Sequence, residues 1–159
     1  MEVYKFKDLD NGDILLEKII LDNTNYIIIN KGNGDILLKK IETITNIDDI
    51  KKYDFRKSNI LSCSINYIRV PKLKYKSILK NIYEIINNGA KITKKSKLNI
   101  KTIEEHDEGF YYLEKLGISI QGVDANKCLL EIVNQSIENK ITINIKIKLN
   151  DGTNVNISF

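Results

Sequence analysis

The sequence predicts a protein of the α+β class, with strands and helices in separate stretches of the chain and one shared core. Three observations support this prediction. Residues 1–45 alternate short apolar runs with Asn-Gly pairs, residues 60–117 combine a strand pattern with helical spacing, and residues 118–159 indicate a strand, a helix and a β-hairpin. We therefore expect a single domain over residues 1–159 in three parts: an antiparallel β-meander, a strand with helices, and a strand-helix-hairpin module.

Length and composition limit the classes of protein to which this chain can belong. Its 159 residues suffice for one buried core and are too few for two domains of ordinary size. Hydrophobic residues make up 42%, and no segment approaches the roughly 20 apolar residues of a membrane span. The opening MEVYKFKDLD lacks the apolar stretch of a signal peptide. We expect a cytoplasmic protein that does not associate with membranes.

The amino-acid usage is strongly biased. Ile, Lys and Asn are abundant, whereas alanine occurs only at positions 90 and 125 and proline only at position 71. The abundant residues have A/T-rich codons, which predicts a low-GC bacterium, its phage or another mobile element as the source. Lysine is then partly a consequence of the genome, so the net charge of +4 is weak evidence for an anionic partner.

The first part of the chain contains an internal repeat. NGDILLEKI, from Asn11 to Ile19, returns as NGDILLKKI, from Asn33 to Ile41, and strand-like residues precede each copy. Asn-Gly is typical of a tight hairpin turn because both of its residues tolerate the positive φ angles that such a turn requires. The repeat therefore predicts a four-stranded antiparallel meander over about residues 2–42.

A calcium loop is the alternative interpretation of the first copy. The segment from Asp8 to Glu17 carries the oxygen ligands that a hard cation prefers. However, Gly12 comes one position too early for the helix-loop-helix calcium motif, and the second copy lacks the paired acids. We expect no metal site.

The middle part begins with an alternating strand and continues as a helix. The alternation predicts one apolar face, formed by Leu61, Cys63, Ile65 and Tyr67. Pro71 ends the strand, and helical spacing of apolar residues then extends from Leu73 to Asn88, where Asn88-Gly89 predicts a left-handed stop.

Lysines cluster around this helix and form a candidate binding site. They are candidate contacts for an anion or a nucleic acid, and they comprise Lys72, Lys74, Lys76, Lys80, Lys91, Lys94, Lys95, Lys97 and Lys101. The more basic stretch, residues 91–101, is expected to be a loop or an edge strand protected by its charges. It has no arginine or aromatic residue, which argues against specific nucleic-acid recognition.

A second helix, or two short helical pieces divided at Gly109, is predicted from Thr102 to Gly117, because Thr102 and Glu105 have the spacing of a capping box. The only histidine, His106, lies among acids and is a candidate for proton transfer or metal binding. On a helix, however, only residues three or four positions apart share a face, so we expect His106 to miss its acidic neighbours and to be solvated.

The last part has the clearest pattern. Ile118 to Ile120 indicates a strand, Asp124 a helix N-cap, and ITINIKIK with NVNISF a hairpin that has one polar face. The helix is expected to end at Asn139 and to bury Leu129, Leu130, Val133 and Ile137. Cys63 and Cys128 have no partner motif, and we interpret both as small buried hydrophobic residues.

The sequence contains no motif of a known catalytic, cofactor or metal site, so we expect no catalytic residues and no cofactor. The preferred hypothesis is a small non-catalytic protein that binds another protein, such as an inhibitor, an adaptor or an immunity-type factor. Apolar residues on both faces of DILLEKII favour an external partner or a homodimer. Two alternatives stay open: a nucleic-acid binder without sequence preference that uses the lysines, and an enzyme of unrecognised type.

Overall fold

The computed structural model describes the backbone of residues 2–8, 14–20, 26–30 and 36–159, and the side chains of residues 41–159. The chain divides into two compact units, Met1–Ile41 and Glu42–Phe159, which are described separately below. The chain combines helices and strands and belongs to the α+β class, as predicted. That residues 1–159 share one core as a single domain stays a prediction.

The first unit contains two antiparallel strand pairs. β1 (Glu2–Asp8) pairs with β2 (Ile14–Ile20), and β3 (Tyr26–Asn30) pairs with β4 (Ile36–Lys40). The described pairs form two separate two-stranded sheets, without the β2–β3 pairing of the expected continuous meander. Both Asn-Gly turns, the turn at residues 21–25 and the centre of the calcium-like loop lie outside the described residues.

The second unit contains a five-stranded and a three-stranded sheet. The larger sheet has the order β5-β12-β11-β6-β7, and only β5 and β12 pair in parallel. Its strands are β5 (Glu42–Ile44), β6 (Asn59–Ile65), β7 (Ile68–Arg69), β11 (Ile143–Lys148) and β12 (Asn154–Ser158). The smaller sheet has the order β8-β10-β9, with β8 (Ile100–Lys101), β9 (Phe110–Leu113) and β10 (Ile118–Gln121). The predicted strand at 118–120 and the C-terminal hairpin are confirmed.

Four α-helices lie in the second unit: α1 (Ile47–Ile50), α2 (Tyr75–Ile86), α3 (Gly89–Lys95) and α4 (Ala125–Glu138). A short 3₁₀ helix, Glu114–Leu116, follows β9. α2 and α4 pack against each other. Asp124 caps α4 by accepting a hydrogen bond from the backbone N–H of Lys127, as predicted. None of the helices in the described residues is long and apolar enough to span a membrane.

The core of the second unit lies between α2, α4 and one face of the larger sheet. The central strands contribute Ile143, Ile145, Ile147, Val155 and Ile157, and the helices contribute Ile78, Leu79, Ile82, Leu129, Ile132 and Val133, all almost fully buried. The strand residues recur at every second position and the helix residues at three or four, which is how each element presents one face to the core. Ile137, predicted to be buried, is instead half exposed at the end of α4.

Strand β6 departs from the predicted alternation. Cys63 and Ile65 are buried as predicted, but Leu61 is 47% exposed and Tyr67 is 88% exposed. The register with β11 shifts next to Ile147, which lies opposite Ile60, so a β-bulge interrupts the alternation before Cys63. Tyr67 lies in a turn beyond the end of the strand.

The helix predicted from Thr102 to Gly117 is wrong. Residues 102–109 are irregular, with bends and a turn at residues 108–109, and Phe110–Leu113 is strand β9. Glu108 and Gly109 have positive φ angles of 50° and 78°, which a continuous helix does not allow. The aromatic run at 110–112 favours a strand, and the Glu105 carboxylate accepts from the backbone N–H groups of His106 and Asp107 instead of closing a capping box.

The basic stretch, residues 91–101, differs from its prediction in its first half, because Gly89–Lys95 forms helix α3. Residues 96–99 are a loop and β8 is an edge strand of the smaller sheet, as predicted. α2 ends at Asn87, whose φ of 47° makes it the left-handed residue that was predicted at Asn88-Gly89. Asn88 instead caps α3, accepting a hydrogen bond from the backbone N–H of Lys91 at 2.9 Å. The two asparagines therefore separate two helices.

Candidate functional site

The most distinctive surface feature of the second unit is an apolar groove between β7 and α2. Its cavity volume is about 440 Å³. The lining residues are Ile65, Asn66, Ile68, Arg69, Val70 and Pro71 from the strand side, and Asn81, Glu84 and Ile85 from the helix. Because β7 is an edge strand of the larger sheet, one wall of the groove is a sheet edge and the other is a helix.

Exposed apolar side chains lie at this groove. Ile68, which is 73% exposed, and Ile85, which is 47% exposed, are among its lining residues, and Tyr67, which is 88% exposed, precedes Ile68 in the adjoining turn. Single exposed apolar residues are common on protein surfaces, but a contiguous patch at a groove indicates an interaction site. The groove therefore has the apolar content that a protein contact requires.

The turn that presents Tyr67 is held at a defined position. Asn66 and Tyr67 have φ angles of 47° and 67°, the two positive values of a two-residue hairpin turn between β6 and β7. The backbone N–H of Asn66 donates to the carbonyl of Thr142 at 2.8 Å, and the side-chain oxygen of Asn66 accepts from the N–H of Thr142 at 3.0 Å. These bonds anchor the turn to the start of β11, so Tyr67 and Ile68 project from a fixed backbone.

Two groups of opposite charge line the groove. Arg69 lies on the strand side and is exposed, and Glu84 lies on the helix side, with Nζ of Lys80 at 3.8 Å from its carboxylate. Within residues 41–159, no salt bridge involves Arg69. An unpaired arginine beside apolar surface is a common anchor in protein interfaces.

The nine candidate lysines lie around α2, α3 and β8, and four of them already contact other side chains. Lys80 pairs with Glu84, Lys95 with Glu138 at 3.2 Å, and Lys101 with Glu105 at 2.9 Å. Nζ of Lys76 lies 3.6 Å from the ring centroid of Tyr111. The other five, Lys72, Lys74, Lys91, Lys94 and Lys97, stay candidate contacts for an anion.

His106 forms a contact that was not expected. Its Nε2 lies 2.9 Å from a carboxylate oxygen of Glu104, because the segment is irregular and not the predicted helix. Both side chains are about two-thirds exposed, so the pair is solvated as predicted. Within the described residues, no group of three or more His, Cys, Asp or Glu side chains is arranged to hold a metal ion.

Both cysteines are free and buried, as the sequence predicts. Burial raises the pKa of Cys63 from 9.0 to about 11. Burial, and then the nearby carboxylates of Glu131 and Asp124, raise the pKa of Cys128 from 9.0 to about 12. Cys128 lines a small cavity of about 160 Å³ with Tyr75 and Tyr111. A thiol that is neutral at physiological pH is a weak nucleophile.

A larger polar cavity of about 560 Å³ lies between the segment after α1 and the β11–β12 turn. Its charged side chains are partly neutralised by ion pairs, since a guanidinium nitrogen of Arg56 lies 2.8 Å from the carboxylate of Asp54. Hydrogen bonds from Arg56 hold the pKa of Asp54 well below its usual range. Most residues that line this cavity are charged or polar, whereas the groove at β7 has the exposed apolar side chains that a protein contact requires. For protein binding, the groove at β7 is therefore the stronger candidate site.

Comparison of the chain with protein-family models, with curated proteins and with solved structures finds no match.

Proposed function

We propose that this chain is a small non-catalytic binding protein that recognises another protein, as an inhibitor, an adaptor or an immunity-type factor. The observation that carries the proposal is the fixed exposure of Tyr67 and Ile68 beside the apolar groove between β7 and α2. Tyr and Arg are enriched at the energetic centres of protein interfaces; Arg69 lines this groove, and Tyr67 lies in the turn that adjoins it. Burial of its apolar surface contributes roughly 25 cal/mol per Å² removed from water, part of which offsets the entropy lost when the two proteins associate.

The proposal includes an intracellular site of action in a low-GC bacterium or a mobile element of such a host. Two free, buried cysteines suit a reducing compartment, where disulfides are rare. The abundance of Ile, Lys and Asn suits an A/T-rich genome. In this setting an inhibitor or an immunity-type factor acts by occupying a surface of its target, which requires contact residues and no catalytic groups.

The experiment is an affinity capture from lysate of the source organism, at low and high salt and after nuclease treatment. The tagged proteins are the wild type, Ile68→Ser in the groove, and Ile103→Ser as a matched control. Ile103 is 61% exposed and is not among the residues that line the groove. We expect wild type and Ile103→Ser to retain the same protein at high salt and Ile68→Ser to lose it, because apolar contacts are insensitive to salt screening.

Nucleic-acid binding gives a different result in the same experiment. Recovery of nucleic acid alone, lost as salt rises and unaffected by Ile68→Ser, would replace the proposal with the lysine-based alternative. Replacement of Lys72, Lys74, Lys91, Lys94 and Lys97 by Ser would then abolish that recovery.

A further inference from the structure

The backbone of β7 provides a second observation about the groove, independent of its apolar side chains. β7 pairs with β6 through Ile65 opposite Ile68 and Ser64 opposite Arg69. The next residue, Val70, donates its N–H to the carbonyl of Cys63 at 2.9 Å. In an antiparallel pair, hydrogen-bonded and non-hydrogen-bonded residue pairs alternate. The Ser64–Arg69 pair is therefore non-hydrogen-bonded, so the N–H and C=O of Arg69 point away from β6.

Within the described residues, no strand pairs with the outer edge of β7, and Arg69 of this strand lines the groove. The groove is bordered by β7 on one side and by Asn81, Glu84 and Ile85 of α2 on the other. A strand added to a sheet lies about 4.8 Å from its neighbour and directs alternate side chains to opposite faces. Recognition of an extended peptide between an edge strand and a helix uses main-chain bonds for affinity and the groove for side-chain selection.

The length of this edge limits how much backbone pairing it supports. β7 contains two residues, and Pro71, which follows Val70, has no N–H to donate. The edge therefore offers one pair of main-chain hydrogen bonds, centred on Arg69. Most of the selectivity must come from a side chain that enters the groove between Ile68 and Ile85. The occupant is thus a short motif.

We propose that the groove binds an extended segment of the partner protein, which adds to β7 as a short strand. The segment places one aliphatic or aromatic side chain between Ile68 and Ile85 and an acidic side chain beside Arg69, whose charge has no salt-bridge partner in residues 41–159. This inference rests on the proposed function, because it specifies how the protein partner is recognised.

The test uses a phage-displayed library of random linear peptides, selected on the immobilised wild-type protein. Selected peptides are synthesised, and their affinities are measured for wild type, Ile68→Ser, Arg69→Gln and the control Ile103→Ser. We expect one apolar and one acidic position in common, with affinity reduced about tenfold or more by Ile68→Ser and unchanged by Ile103→Ser. Arg69→Gln should weaken only the peptides that carry the acidic residue.

Strand addition is tested separately, by using NMR to measure the hydrogen-exchange rate of the Arg69 amide. A peptide that pairs with β7 should slow this exchange by about tenfold or more, because the amide gains a hydrogen-bond acceptor. Peptides that bind through Ile68 but do not slow exchange of the Arg69 amide would overturn the inference of strand addition. The proposed function would stay in place.

Three other outcomes also decide between these possibilities. Failure to select any peptide, combined with a dimer in sedimentation that Ile68→Ser dissociates, would identify a second copy of the chain as the occupant and overturn the inference. Failure to select any peptide while the captured protein still depends on Ile68 would mean that the groove takes a folded surface and not a strand. If Ile68→Ser changes neither capture nor peptide binding, the proposed function itself fails.

Discussion

The hydroxyl of Tyr83 on α2 donates a hydrogen bond of 2.8 Å to Oε1 of Glu131 on α4, and both side chains are buried. The same oxygen accepts from Nε2 of Gln135 at 2.9 Å, and Oε2 accepts from the backbone N–H of Lys97 at 3.2 Å. A buried carboxylate is costly unless hydrogen bonds replace its hydration. Glu131 therefore links α2, α4 and the segment after α3.

Replacing Glu131 by Ala should destabilise the protein severely. The change leaves the Tyr83 hydroxyl, the Gln135 amide and the Lys97 N–H without this acceptor, which should cost on the order of 3 kcal/mol. Tyr83→Phe removes one of the three donors and leaves the carboxylate two, so we expect a cost of about 1.5 kcal/mol. Urea unfolding measures both free energies. A Glu131→Ala protein as stable as Tyr83→Phe would contradict the assignment of this network.

Stability should fall at alkaline pH because of the two buried thiols. Their pKa rises on folding from 9.0 to about 11 for Cys63 and about 12 for Cys128. Above the unfolded pKa, the unfolded chain binds fewer protons than the folded one, so stability is complete below about pH 9 and is lost as pH rises towards 11 or 12. Each thiol should then remove about 1.4 kcal/mol per pH unit.

The measurement is the free energy of unfolding at several pH values from about pH 8 upwards, in wild type and in Cys63→Ala/Cys128→Ala. The variant has its own baseline stability, but its slope with pH should be shallower, because other titrating groups are common to both proteins. Equal slopes above about pH 9 would show that the thiols ionise alike in both states.

The elements that could be predicted have clear local patterns in the sequence. The hairpin β11–β12 alternates without interruption, and Asp124 carries the capping side chain of α4, so pattern alone places both. Helix α3 has no comparable signal. Its residues are mostly lysine and isolated apolar residues, and its stability depends on the Asn88 cap and on tertiary packing. Helix propensity is a weak predictor where tertiary contacts determine the secondary structure.

The candidate groove was missed for a related reason. Simple alternation places Leu61 and Tyr67 on the buried face, but a bulge and a turn each break that alternation. Asn66 was the available signal, because asparagine accepts positive φ, yet the turn lacks the glycine that usually accompanies it. The lysines were easy to find in the sequence, whereas their contacts with Glu84, Glu138 and Glu105 depend on the fold.

Gly89, the first residue of α3, should not tolerate even a methyl group. A Cβ atom there would lie 2.4 Å from the backbone carbonyl oxygen of Leu116 and 3.2 Å from Cγ2 of Ile118. A backbone atom cannot rotate away, so α3 must shift, and we expect Gly89→Ala to cost about 2 kcal/mol despite the better helix propensity of Ala. The control is Lys91→Ala, an exposed change in the same helix, which should be nearly neutral. Equal stability of both variants in urea would refute this close approach.

Tyr67→Gly should make the protein more stable and weaken its binding to the protein partner. Tyr67 has a φ of 67°, and a left-handed conformation costs a bulky L-residue roughly 1–2 kcal/mol, of which the greater freedom of Gly in the unfolded chain offsets part. Because Tyr67 is 88% exposed, its loss removes little packing, and we expect a net gain of about 0.5 kcal/mol in urea unfolding. Capture of the protein partner should weaken, since an exposed aromatic ring next to Ile68 in the chain is lost. Lys57→Gly, at a φ of 59° away from the groove, should gain similarly and leave capture unchanged. A destabilised Tyr67→Gly protein that still captures the partner would contradict both the turn strain and the binding role of Tyr67.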